Sequence, residues 1–244
     1  MKKSKTRIFI NKPISANLMI YIKAKQHHFL KNVLRVQIND FVNVFDGISG
    51  EWESRVSSIN RDNIVLQVLK KNRDILKSQD IWLVFAPIKS HRMILAVQKA
   101  TELGVSKIFP CITEYTNNRN IKIKSLQDNI IEAAEQSDRM DIPTIAKEQD
   151  LQSFLSKWPE DRKLLYCDEK VRDGKNIIET LLKLKEKKFK WGILIGPEGG
   201  FSEKENKFIN NNKNAINVSL GETLLRSDTA ITVSLFCIHQ VFSG

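Results

Sequence analysis

The stretch that most constrains the fold is Trp191 to Glu205, WGILIGPEGGFSEKE. Trp191 to Ile195 is an apolar run of strand length. Gly196, Pro197, Gly199 and Gly200 then break the chain within five residues. Ser202 followed by Glu205 spells a capping box, the signature of a helix start. A strand, a glycine turn and a capped helix make one βα unit of a parallel sheet, and ligands sit at the strand ends of such sheets. Glycines admit positive φ and let backbone amides come close to a bound molecule. The turn is therefore expected to wall a ligand site rather than only reverse the chain.

The surrounding pattern extends that unit. Strands are expected at Ile81–Pro87, Lys107–Pro110, Leu164–Cys167 and Ala215–Leu220. Helices are expected at Arg92–Leu103 (ended by Gly104), Lys124–Met140, Leu151–Trp158, Asn176–Lys188, Phe201–Asn211 and Asp228–Phe242. Strands alternating with helices predict a parallel sheet covered on both faces. The N-terminal part reads differently. Arg7–Ile10, Phe41–Phe45, Glu51–Ile59 and Ile64–Leu69 are short strand candidates, and Lys23 to Leu34 is a helix candidate with an apolar stripe. These predict a small β-barrel. The polar stretch Lys70–Gln79 is the expected linker, giving domains at 1–72 and 73–244.

Charge separates the same two parts. The formal net charge is +11, and residues 1–75 alone carry fourteen Lys and Arg against six Asp and Glu. A small, strongly basic module predicts a polyanion partner. Cys111, Cys167 and Cys237 form no CxxC pair and no metal-ligand spacing with the four histidines, so they are expected as reduced core residues without a metal. No apolar run approaches the ~20 residues of a membrane span, and the basic N-terminus lacks a signal peptide's apolar stretch. A cytoplasmic location is the expectation.

A second glycine loop, SLGETLLRSDTA from Ser219 to Ala230, follows the last expected strand and carries Arg226 and Asp228. Two such loops at one sheet edge can wall a pocket. No GxxxxGK[ST], GxGxxG or GxSxG pattern is present, which excludes the common nucleotide and nucleophile-elbow folds.

Taken in order, the motifs resemble the RsmE family, the 16S rRNA uridine N3-methyltransferases of the SPOUT superfamily. His27-His28-Phe29-Leu30 with Val33-Leu34-Arg35 is similar to the family's N-terminal segment, and Asp46-Gly47 to its acidic-glycine turn. Lys89, Gln98 to Val105, and Glu132 to Ser137 with Arg139 match its middle motifs. Gly196 to Gly200 with Glu205, and Leu220-Gly221, Leu225-Arg226 and Thr229-Ala230, match its C-terminal pair. Two departures stand out: Glu222-Thr223 replaces the family's Pro-Arg, and Asp228 replaces a Glu.

The resemblance implies an α/β fold, with a C-terminal SPOUT trefoil-knot methyltransferase domain and an N-terminal PUA-like β-barrel that holds RNA. Such a knot is an exception to the usual un-knotted connections. It implies S-adenosyl-L-methionine bound against Leu194, Ile195, Gly196, Pro197, Glu198, Gly199 and Gly200 of the first loop. From the second loop it implies Ser219, Leu220, Gly221, Leu224, Leu225 and Ala230. It also implies a homodimer and ribosomal RNA of the small subunit as substrate.

Methylating N3 of uracil requires loss of the N3 proton or stabilisation of charge on the carbonyl oxygens. Arg226 is expected to contact the uracil or a phosphate, Glu198 to orient the loop or substrate, and Asp228 to be an alternative base or a helix cap. Arg7, His28, Arg35, Lys89 and Arg139 are the expected RNA contacts. Rival readings are a SPOUT enzyme acting on another RNA or on ribose 2′-OH, and an RNA-binding assembly factor without catalysis.

Overall fold

The structure, a computed structural model, describes residues 4–167, 175–187 and 189–242. The chain divides into two compact units. The first comprises Met1–Lys77 with Ala134–Ile142, the second Ser78–Ala133 with Pro143–Gly244. The expected boundary after residue 72 falls inside a strand, because the last strand of the first unit continues to Arg73. The residues expected to end one long helix at Met140 leave it after Gln136, and 134–142 pack with the first unit.

The first unit holds a five-stranded mixed sheet in the order β1-β3-β4-β5-β2. Its strands are β1 (Arg7–Phe9), β2 (Met19–Ile22), β3 (Phe41–Phe45), β4 (Glu51–Ile59) and β5 (Ile64–Arg73). Alternating residues Val42 and Val44 on β3 and Ile64, Leu66 and Val68 on β5 bury one face around Leu30. Three register shifts interrupt the β4–β5 ladder, and such bulges sharpen local twist.

The expected helix at Lys23–Leu34 is a short α1 (Ala24–His28) running into a π-helical turn, Phe29–Val33. The wider turn sends Leu30 into the sheet core. It closes with the Val36 N–H donating to Leu30 O, while Arg35 takes φ +50°. Glycine is the usual residue there, since left-handed backbone disfavours side chains.

The second unit is a parallel sheet in the order β12-β10-β11-β6-β7-β8, with β9 pairing β7. In chain order its elements are β6 (Ile81–Phe85), α2 (Ser90–Glu102), β7 (Lys107–Ile112), α3 (Ile123–Gln136), β8 (Thr144–Ile145), β9 (Gln149–Asp150) and α4 (Leu151–Leu155). They continue with β10 (Arg162–Cys167), α5 (Ile177–Lys183), β11 (Lys190–Ile195), α6 (Glu203–Asn210), β12 (Ala215–Val218) and α7 (Ser227–Phe242). The central strands β10 and β11 carry burial on both faces, as parallel strands under helices do. At Gly192 a Cβ would stand 2.4 Å from the Trp158 ring, so only glycine lets that indole close over β11.

The last strand, β12, lies outside β10 rather than beside β11. The segment leaving β12 is held on one side by Ser219, whose N–H donates to Lys175 O and whose carbonyl accepts from the Ile177 N–H. On the other side the Ser227 hydroxyl donates to Gly196 O at 3.0 Å. The second glycine loop is thereby laid against the first.

Candidate active site

The first loop is fixed by its ends. The Ile195 carbonyl accepts from the Ala86 N–H, tying the strand end to β6. At the far end the expected capping box is formed: the Ser202 hydroxyl accepts from the Glu205 N–H, and the Glu205 carboxylate accepts from the Ser202 N–H. The second carboxylate oxygen of Glu205 accepts from the Glu114 N–H, which ties the helix start to the loop after β7. Within the turn Gly200 has φ +68° and donates to Pro197 O. At Gly196 an added Cβ would stand 2.9 Å from the buried Phe201 ring.

These loops enclose a cleft of about 680 Å³, open to solvent. Ile195, Gly196, Pro197 and Gly200 form one wall, and Ser219, Leu220, Gly221, Leu224, Leu225 and Ala230 the other. Ten of the residues expected to hold the cofactor thus meet at one cleft. Three do not. Leu194 is fully buried in the hydrophobic core, Gly199 backs onto Tyr115, and Glu198 lines a neighbouring cleft. They differ because successive residues of a strand and turn point to different sides. The lining is largely glycine, serine and aliphatic residues, with Phe201, Glu222 and Thr223 among them, and Gly221, at φ +120°, has open space where a Cβ would be. Such a wall suits a ligand with an apolar body and polar edges read by amides and carbonyls.

Arg226 lies between two lining residues, Leu225 and Ser227, and is exposed. Its side chain has no hydrogen bond or ion pair among the described residues, so its charge is available to a ligand. Asp228 and Glu198 are not available in that sense. Arg92, in the first turn of α2, donates to Asp228 Oδ1 through Nη2 and to Glu198 Oε1 through Nη1.

Burial pushes the Asp228 carboxyl up. The hydrogen bond from Arg92 and the N–H groups of Asp228 and Thr229 outweigh burial and hold it below its ordinary value. In return Arg92 is pushed up, chiefly by the hydrogen bond to Asp228. Asp228 also stands in the first turn of α7, where the helix dipole favours a negative charge. A carboxylate held below its ordinary value and paired with Arg92 is a weaker acceptor for the weakly acidic N3–H of a uracil. The reading of Asp228 as a base gives way to its reading as a helix-end anchor.

Arg92 was missed from the sequence, although one signal was present. A cation in the first turn of a helix opposes the helix dipole and calls for a partner.

The expected RNA contacts divide. His28, Arg35 and Lys89 are exposed. Arg7 is not on a free face: its Nε donates to Glu51 at 2.6 Å, and its Nη atoms donate to the carbonyls of Ala134 and Arg139. Its guanidinium stacks 4.5 Å over Phe45. Arg139 is only 8% exposed and donates to Asp141 at 2.8 Å. Both are corrected to structural cations, because their donors are consumed inside the first unit.

Two family models match the chain. One, described as an RNA methyltransferase domain, covers residues 76–239, and one described as an RNA methyltransferase PUA domain covers residues 22–69. The ribosomal RNA small subunit methyltransferase E of Rickettsia conorii is 32% identical over 230 residues, spanning 94% of this chain and 93% of the relative. The chain belongs to the ribosomal RNA small subunit methyltransferase E family.

A second family member, from Buchnera aphidicola subsp. Schizaphis graminum, is 31% identical over 251 residues, covering 99% of this chain and 98% of that one. A solved member from Neisseria gonorrhoeae, crystallised with S-adenosyl methionine, superposes with a TM-score of 0.87 at 25% identity. That superposition covers 97% of this chain and 98% of the other. The expected mixed α/β class, with an N-terminal PUA-type domain and a C-terminal methyltransferase domain, is the one the family and the structure have.

Proposed function

We propose that this protein transfers a methyl group from S-adenosyl-L-methionine to N3 of a uridine in 16S rRNA of the small ribosomal subunit. The carrying observation is the cleft built from two glycine loops, with Arg226, unpaired among the described residues, between two of its lining residues. Family membership supplies the substrate class, since its named members act on small-subunit ribosomal RNA.

The cleft fits the cofactor on its own terms. Aliphatic Leu220, Leu224 and Leu225 offer an apolar surface, while Gly196, Gly200 and Gly221 bring backbone to the wall with no side chain over it. When bound, S-adenosylmethionine supplies an electrophilic methyl on a sulfonium sulfur. In the overall reaction N3 loses its proton to solvent and gains the methyl group, and the sulfonium is released as a thioether. As N3 gives up its proton, negative charge spreads to the uracil carbonyls. Arg226, an exposed cation with no partner among the described residues, stabilises that charge. Arg92 holds Glu198 and Asp228 together and offsets one of their two negative charges.

The exposed basic side chains His28 and Arg35 of the first unit and Lys89 of the second contact the RNA backbone. The active form is a cytoplasmic homodimer. Exposed apolar Ile178 and Leu182, one turn apart on α5, and Phe236 on α7, which packs against α5, support a self-association surface.

The test is mass mapping of ribosomal RNA from cells lacking the protein, with the purified protein and S-adenosylmethionine added back. One methyluridine should vanish from the map and return on addition. An unchanged map would refute the assignment.

A further inference from the structure

On the far side of Pro197, which it shares with the first cleft, lies a second cleft of about 720 Å³, open to solvent. Its walls are the entry to α2, the loop after β7 and the glycine turn. Its lining residues include Lys89, Ser90, Tyr115, Asn117, Asn118 and Glu198. Tyr115 is 46% exposed, and it packs on the turn, since a Cβ at Gly199 would touch its own Cβ at 3.5 Å. Asn118 is committed to the loop, donating to Ile88 O and accepting from the Asn120 N–H. Asn117 and Lys89 are exposed, and their side chains have no partner among the described residues. Glu198 is the one acid among the lining residues, and it pairs with Arg92, which also holds Asp228.

We propose that this second cleft takes the nucleotide to be methylated, its pyrimidine stacked on Tyr115, a base carbonyl accepting from the Asn117 amide and its phosphate held by Lys89. The proposal rests on the methyltransferase reading and names the acceptor subsite of that site. A solvent-exposed aromatic ring is the usual platform for an unstacked base. The Asn117 amide is a donor of the kind uracil carbonyls accept, and its hydrogen bond strengthens as negative charge grows on them. The shared Pro197 puts the two clefts side by side, as donor and acceptor of one transfer require. Neither Tyr115 nor Asn117 follows from any glycine motif, since both lie on a loop from a different part of the chain.

The experiment measures steady-state methylation of 16S rRNA prepared from cells lacking the protein, alongside calorimetry with S-adenosylmethionine alone. Tyr115→Ala should lower kcat/KM for RNA on the order of tenfold to a hundredfold, while Tyr115→Phe keeps it. Asn117→Ala should lower kcat, and Lys89→Ala should raise KM for RNA. Cofactor affinity should stay at the wild-type value in all four. Wild-type kcat/KM in both Tyr115→Ala and Asn117→Ala overturns the proposal. If Tyr115→Ala fails to fold, Asn117→Ala decides alone, because Asn117 is exposed and supports no packing. A wild-type protein that neither binds the cofactor nor methylates the RNA would instead sink the methyltransferase reading, and this inference with it.

Discussion

The two units are equipped by opposite means. In the second, the cleft is shaped by backbone: two glycine loops, a capping box and aliphatic side chains set its walls. In the first, many exposed side chains are cations, and one of its several left-handed residues, Arg35, follows the π-helical turn. Backbone recognition is fixed by local sequence and tolerates no side chain at certain positions. Charge recognition depends on which cations remain unpaired, and partners far along the chain decide that.

The largest expected effect tests the unpaired cation beside the backbone-walled cleft. Arg226→Ala should reduce kcat/KM for methylation on the order of a hundredfold to a thousandfold. Its thermal midpoint and S-adenosylmethionine affinity should match wild type, since the side chain is exposed and has no hydrogen bond or ion pair among the described residues to lose. Near-normal turnover would mean that the cleft stabilises charge by backbone alone.

Gly196→Val should show the opposite profile. The new Cβ meets the Phe201 ring, which is 2% exposed and cannot step aside. Overpacking of this kind costs about 1–3 kcal/mol. Calorimetry should show cofactor affinity reduced by about tenfold or more, with a lowered melting temperature. Unchanged affinity would take the glycine turn out of the cofactor wall.

Arg92→Gln should act through pH. In the wild type the Asp228 carboxyl titrates below its unfolded value. Its contribution to stability is therefore present above the unfolded pKa, near 4, and is lost as pH falls through the lower folded value. Without Arg92 the largest lowering contribution goes, so the variant should be less stable at neutral pH and lose less on acidification. Denaturant midpoints taken from pH 7 down to pH 3 should therefore converge. Parallel curves would show that the backbone N–H groups of Asp228 and Thr229 suffice to hold the carboxylate.

How much was legible follows the same division. The glycine turn, its capping box and the second loop are local: each depends on residues close together in the chain, and each formed as read. The π-helical turn was read as plain helix because Phe29, Leu30, Val33 and Leu34 satisfy helical spacing, whereas one extra residue in the turn leaves no mark on that spacing. β2 was missed because Met19, Ile20, Tyr21 and Ile22 are all apolar, so their alternating burial leaves no alternation in the sequence. Arg7 was misread because its partner Glu51 lies 44 positions away, and nothing near Arg7 says that Phe45 is beneath it. The Arg92 clamp spans 106 and 136 positions to its two partners. Sequence charge gives the amount of basicity in a module, and only the fold shows which cations are already neutralised.

The smallest expected effect separates the two kinds of cation directly. Arg7→Ala strips a donor from buried carbonyls and from the Glu51 carboxylate, 4% exposed, which keeps Arg73 and Asn43 as side-chain partners. Leaving buried acceptors unsatisfied costs about 1–3 kcal/mol, which a shifted denaturant midpoint will show. Arg35→Glu should leave that midpoint close to wild type, since the side chain is exposed. Its effect should appear in RNA binding, where one phosphate contact fewer lowers the slope of log affinity against log salt by about one. The controlling variant is Arg35→Gly. The left-handed backbone at this position favours glycine, so removing the arginine this way should hold or raise stability while still weakening RNA binding. Arg35→Gly therefore removes the charge without straining the backbone. If Arg35→Gly binds RNA as well as wild type does, the basic module grips through other residues and the comparison between the units must be redrawn.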